Sequence, residues 1–267
     1  MKIVLTSKPS FEGYSIEAGK ADNVRHFDHH GEMSINPSPA ANCLIPIIPE
    51  DSMIEITHID ADTLLGITRL MGKKMPKTID LELLEQIDLN GSSVIKNKFD
   101  TTLCYMVGIS TVSRNIKFPR CSEVPQDVTV FIEQILAVPE TQLIALGKAS
   151  QEKAEEAYKT CRIAGGPGVG LWSIGPDDQL DPSRPYEDNV DMVVVYRQHY
   201  KSISIYCNPK SDYSFAGKEV GGILFQGHPK ACGSPRGQEM TFNQAVQVMV
   251  DLVIGEVARV TSRVCNM

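Results

Sequence analysis

Two short polar clusters constrain this chain more than any other feature. Asp28-His29-His30 follows residues 24–27, and His58-Ile59-Asp60-Ala61-Asp62 follows residues 53–57. Both preceding stretches are rich in β-branched and aromatic residues and read as strands, as do residues 2–6 at the start of the chain. Each cluster therefore stands where a strand hands over to a loop or helix. In an open α/β sheet, ligands bind outside such carboxyl ends. The expected fold is α/β, a largely parallel sheet flanked by helices, with a second, smaller α/β domain.

The residue types point to metal. Past a strand, side chains two apart face the same side, so His58, Asp60 and Asp62 share one crevice. Histidine and carboxylate ligands without cysteine suit Mn²⁺ or Mg²⁺ more than structural zinc. Carboxylates so close together repel strongly unless a cation lies among them. Two divalent ions, Mn²⁺ first and Mg²⁺ second, would remove that cost and could activate water against a phosphoryl group. His26 lies within a strand and reads as structural. Asp88, before Leu89-Asn90-Gly91, is either a further ligand or a helix terminator.

The remaining chain sets these clusters in context. A short helix is expected from Ala40, one over residues 64–71 closed by Gly72, and another over residues 80–87. Two prolines within residues 118–125 mark a boundary. Val128, Phe131, Ile132, Ile135 and Leu136 follow a helical period, capped by Asp127 and stopped by Pro139. A more polar helix runs to about Ala164 and ends at Gly165-Gly166-Pro167-Gly168. Residues 192–196 and 202–206 read as paired strands, residues 217–237 are glycine-rich, and a last helix covers 241–261. The expected organisation is a metal-binding domain over 1–120, a helical linker over 121–165 and a substrate-binding domain over 166–267. The last helix is apolar on more than one side, which suits a sheet on one face and a second copy of the chain on the other.

Composition removes several classes. A formal charge of −7 argues against long duplex nucleic acid as a partner. No apolar run reaches the ~18 to 20 residues of a membrane span, and the N-terminus lacks the pattern of a signal peptide. Seven scattered cysteines without a C-x-x-C pair suit reduced thiols in a cytoplasm. Between Val195 and Met240, six Lys/Arg face three acids, a local excess suited to phosphate. Tyr196, Tyr206, Tyr213 and Phe225 are candidates to stack a base.

Taken together, Asp28-His29-His30 with Asn36-Pro37-Ser38-Pro39-Ala40-Ala41, the His58-to-Asp62 motif, and residues 221–233 resemble the DHH phosphoesterase superfamily. Gly227-His228, Ala231 and Gly233 look like the G-G-G-H-x-x-A-x-G signature of the DHH-associated domain. The resemblance implies a two-domain hydrolase with two Mn²⁺ or Mg²⁺ ions, acting on a phosphoester of a small nucleotide or short oligonucleotide. It implies that His58 and Asp60 hold one metal, that His29 and Asp62 hold the other, and that Asp88 bridges them. His30 would lie near the transferring phosphoryl group, and Asp28 would be a ligand or support one. Gly227, His228, Lys230 and Gly233 would face the substrate's phosphate. The chain departs from the family in three ways: the Asp-His-His motif comes first, one lone aspartate has Asp22, Asp51 and Asp100 as rival candidates, and Phe225-Gln226 replace glycines. The rival functions are a non-catalytic nucleotide sensor and an inorganic pyrophosphatase.

Overall fold

The structure is a computed structural model describing residues 1–29, 36–176, 178–235 and 238–265. It forms two compact units, Met1–Gln151 and Glu152–Met267. The architecture is α/β in both.

In the first unit, β1 (Lys2–Leu5), β2 (Tyr14–Ile16), β3 (His26–Phe27), β4 (Met53–Ile56) and β5 (Gln126–Asp127) form one sheet in the order β3-β2-β4-β1-β5. The first four are mutually parallel, and β5 runs antiparallel to β1. Three consecutive residues are buried in β1 (Ile3, Val4, Leu5) and three in β4 (Ile54, Glu55, Ile56). Unbroken burial of this kind means both faces of the sheet are covered. The cover comes from α1 (Ala61–Leu70), α3 (Thr101–Asn115) and α4 (Thr129–Leu136), whose Leu64, Ile67, Ile109 and Ile132 join the strand residues in one core. The unit also contains α2 (Leu81–Asn90) and the start of α5 (Glu140–Thr160).

Strand β4 is inserted between β2 and β1, although β2 comes earlier in the chain. As a result β3, β2 and β4 are adjacent and parallel, with β2 in the middle. Their last residues are Phe27, Ile16 and Ile56. Whatever follows these three strands is displayed at one edge of the sheet.

The second unit has a six-stranded sheet, β12-β13-β9-β8-β7-β6, built from β6 (Arg162–Gly166), β7 (Val169–Ile174), β8 (Met192–Arg197), β9 (Ser202–Cys207), β12 (Gln226–His228) and β13 (Ala231–Gly233). Only the β7–β8 pair in it is parallel. A small hairpin, β10 (Glu219–Val220) with β11 (Ile223–Leu224), stands apart. Helix α6 (Phe242–Cys265) buries Ala245, Val248 and Leu252 in the same core as Val169, Val194 and Ile205.

Several local expectations need correction. The stretch from Ala40 is a turn closed by Asn42 N–H to Ser38 O (2.8 Å), because Pro46 and Pro49 leave no room for a helix to propagate. Helix α5 stops at Thr160, and Gly165-Gly166-Pro167-Gly168 is the tip of the β6–β7 hairpin. Gly168 there takes φ +67°, a conformation that favours glycine. Among the described residues the cysteines are free, and no single helix is long and apolar enough to cross a membrane.

Candidate metal centre

Three strand ends build the site. Glu17 follows β2, His29 comes two residues after β3, and His58 comes two residues after β4. Because β2 lies between the other two strands, Glu17 falls between the two histidines. Its Oε1 is 3.2 Å from His29 Nε2, and its Oε2 is 3.2 Å from His58 Nε2. Glu17 is buried and takes φ +50°, a left-handed backbone rare for a residue with a side chain. The conformation costs roughly 1–2 kcal/mol and persists because the surroundings hold it: Thr57 Oγ1 donates to the Glu17 carbonyl (2.7 Å) and Thr63 Oγ1 to Oε2 (3.1 Å).

Two helices complete the set. Asp60 caps α1, its Oδ1 accepting Thr63 N–H (2.9 Å), while its Oδ2 lies 2.9 Å from His58 Nε2. Asp62, in the first turn of α1, accepts Ala40 N–H at Oδ1 (2.7 Å) and places Oδ2 3.3 Å from His29 Nε2. Both carboxylates gain from the positive end of the α1 dipole. Asp88 is the opposite case. It sits in the last turns of α2, where no basic residue offsets the negative end, with Oδ2 3.2 Å from His29 Nε2. A carboxylate so placed favours a cation beside it.

The result is two ligand groups that share one residue: Glu17, His29, Asp62 and Asp88, and Glu17, His58 and Asp60. Within each, one donor atom per residue lies within 4.8 Å of the others. Burial works against a charged His29, yet the carboxylates of Asp62, Asp88 and Glu17 outweigh it and push its pKa up to about 11. Burial likewise opposes protonation of His58, and Asp60 and Glu17 push it up to about 10. Burial moves Asp62 upward, against the pull of His29. The carboxylates therefore demand positive charge, which protons supply in the absence of a metal. Asp62 Oδ2 is buried and accepts no hydrogen bond among the described residues. An all-nitrogen-and-oxygen set with a carboxylate shared between two groups fits a pair of divalent cations.

The other expected site residues are placed as follows. Asp28 is buried and accepts Gly19 N–H at Oδ2 (2.7 Å), outside both ligand groups. His30 lies outside the described residues. The pairing of His58 with Asp60 and of His29 with Asp62 appears in the geometry. Asp88 joins only the second of those pairs, and the carboxylate with an oxygen in each group is Glu17. Of the rival aspartates, Asp22 caps main-chain N–H groups, Asp100 caps α3, and Asp51 is exposed in a turn. Glu17 gave no motif to read. The one available signal is positional: Tyr14-Ser15-Ile16 is a short stretch flanked by an aromatic and a β-branched residue that runs into a carboxylate, as the other two strands run toward histidines.

In the second unit, Gly227 and Gly233 lie within the β12–β13 hairpin, paired with Cys232 and Ser204. Lys230 at its turn donates to the carbonyls of Ser211 and Tyr213. The His228 side chain lies outside the described structure. Phe225, a candidate to stack a base, is fully buried in the core instead. Tyr206 accepts from Arg197 Nη2 (2.7 Å), and Tyr213 donates to Glu256.

No protein-family model matches the sequence, and no curated protein matches it significantly. Among solved structures, the chain is similar to PggH, a pGpG-specific phosphodiesterase from Vibrio cholerae, at TM-score 0.42 and 11% identity over 72% of each chain. It is also similar to an exopolyphosphatase-related protein from Bacteroides fragilis, at TM-score 0.34 and 13% identity, over 86% of this chain and 63% of that one. An uncharacterized protein from Helicobacter pylori gives TM-score 0.26 and 10% identity, over 66% of this chain and 54% of the other.

Proposed function

We propose that this protein is a divalent-metal-dependent phosphoesterase of the DHH type, hydrolysing a phosphodiester or phosphomonoester of a small nucleotide or short oligonucleotide. The observation that carries the reading is Glu17, a single buried carboxylate whose two oxygens face two separate histidine–aspartate groups. One carboxylate with an oxygen toward each group is what a pair of neighbouring cations would share. Glu17, His29, Asp62 and Asp88 would hold one cation, and Glu17, His58 and Asp60 the other. Such a pair supplies an activated water and neutralises charge on a phosphoryl group.

The chain's own residues do the rest. Asp60 and Asp62 are fixed by main-chain N–H groups, so each presents its second oxygen without rotamer search. Asp28 ties Gly19 beside Glu17 and so holds the strained turn in which the shared carboxylate sits. We assign His30 to the phosphoryl group and the hairpin carrying Gly227, His228, Lys230 and Gly233 to the substrate's phosphate end, as the motif resemblance implies.

The test measures metal content and turnover on the same preparations, with dinucleotides, cyclic dinucleotides, 3′,5′-bisphosphates and pyrophosphate as substrates. The wild type should hold two Mn²⁺ per chain and turn over a nucleotide. Glu17→Gln should hold at most one and lose roughly 10²–10³-fold in rate, with an unchanged circular dichroism spectrum. Two metals and full turnover in Glu17→Gln would overturn the reading, and turnover of pyrophosphate alone would replace it.

A further inference from the structure

The two histidines of the metal centre are held in different ways. His29 is fully buried, so packing alone fixes its ring. The His58 side chain is 45% exposed, and its ring can turn unless hydrogen bonds hold it. Its Nε2 faces Glu17 Oε2 (3.2 Å) and Asp60 Oδ2 (2.9 Å), the oxygens that would turn to a cation. The orientation of the ring therefore depends on its other nitrogen.

His58 Nδ1 lies 3.0 Å from Thr57 Oγ1, and the same oxygen lies 2.7 Å from the Glu17 carbonyl. A hydroxyl has one proton and a carbonyl oxygen only accepts, so that proton goes to Glu17. Toward His58 the hydroxyl can then only accept. This places a hydrogen on Nδ1 and leaves Nε2 as the nitrogen with a lone pair to give. Nε2 is also the atom that faces the carboxylates. Strand register sets the relay: Ile16 of β2 lies beside Ile56 of β4, so the residues that follow them, Glu17 and Thr57, are neighbours.

We infer that Thr57 is a positioning residue of this centre, whose hydroxyl selects Nε2 of His58 as the ligating nitrogen and ties that choice to the turn carrying the shared carboxylate. The inference rests on the phosphoesterase reading, which supplies the pair of cations. A hydrogen-bond partner behind a ligating histidine is worth roughly 10–100-fold in metal affinity. The effect should fall on the group of Glu17, His58 and Asp60. The other group should keep its affinity, because Thr63 Oγ1 still holds the Glu17 carboxylate (3.1 Å).

Mn²⁺ titration of the full chain by calorimetry tests this, together with nitrogen-15 NMR of the histidine rings in the Zn²⁺-loaded chain. The wild type should bind two Mn²⁺, and its His58 ring should carry a proton on Nδ1 with the metal on Nε2. Thr57→Val, close in shape but without the hydroxyl, should weaken one of the two sites roughly 10–100-fold. It should leave the other within about threefold, with an unchanged circular dichroism spectrum, and the protected Nδ1 proton should disappear. Thr57→Ser should restore both the affinity and the proton, which a loss of packing alone would not do. Unchanged affinities in Thr57→Val, a wild-type His58 bound through Nδ1, or a Thr57→Ser no better than Thr57→Val overturns the inference and leaves the phosphoesterase reading standing. A wild type that binds fewer than two Mn²⁺ overturns that reading, and this inference with it.

Discussion

Asp22 shows how much one carboxylate can organise. Its Oδ1 accepts three consecutive main-chain N–H groups, from Val24 (2.9 Å), Arg25 (2.9 Å) and His26 (3.0 Å), which sets the turn into β3. Partial burial works against its ionisation, but the N–H donors prevail and hold its pKa at about 2. A pKa lower in the folded than in the unfolded chain stabilises the fold above about pH 4 and ceases to do so as pH falls through about 2. Asp22→Ala should therefore cost about 1 kcal/mol at pH 7, a discounted figure because the carboxylate is over a third exposed. Urea denaturation should show the gap between variant and wild type closing between pH 4 and pH 2. At this same scale lies the residue that was hardest to see. Glu17 belongs to no motif, and its strand has only three residues, too few for a period to register. The histidines and aspartates after β3 and β4 were legible because they cluster in sequence. Glu17 clusters only in space.

At the scale of elements, α3 and α5 cross with glycines that let main chain approach main chain. A Cβ on Gly108 would overlap the main-chain carbonyl of Leu143, and one on Gly147 would overlap that of Cys104. Neither neighbour is a flexible side chain, so the helices must separate to admit a methyl group. Gly108→Ala should destabilise by about 1–3 kcal/mol even though alanine favours helix, and the loss should appear as a lower chemical-denaturation midpoint. Helix α3 escaped sequence reading for a related reason. It buries Thr102, Leu103, Cys104, Tyr105, Gly108, Ile109, Val112 and Ser113, and small or hydroxylated residues at several of these positions erase an apolar stripe. Helix α4 was legible because Ile132 and Ile135 lie on one buried side. The end of α5 was misread because Arg162-Ile163-Ala164 suits a helix locally, whereas pairing with β7 makes it a strand.

At the scale of the whole molecule, every candidate ligand belongs to the first unit. Metal removal should therefore be felt unevenly. Binding to the folded state alone stabilises by ~2.7 kcal/mol at a hundredfold excess over the dissociation constant. Chelation should accelerate amide exchange in residues 14–29, 54–64 and α2, while β7, β8 and β9 keep their protection. Equal acceleration in both units would mean that the ion stabilises something other than the strand ends described above. The α/β class and the parallel character of the first sheet follow from strand and motif placement in the sequence. The order β3-β2-β4-β1-β5 does not, because β4 enters between strands already made, and nothing local records that choice.

The closing strand of that sheet has a consequence for the nascent chain. The six candidate ligands lie between Glu17 and Asp88, yet β1 acquires its outer neighbour only when Gln126–Asp127 pairs with it, and Val128 N–H then reaches Ile3 O (2.9 Å). At ~5–20 residues per second, the forty or so residues between Asp88 and Val128 take about two to eight seconds to synthesise. For that interval a growing polypeptide carries all six candidate ligands, and the three strands whose ends build the site, while β1 still presents an unpaired outer edge.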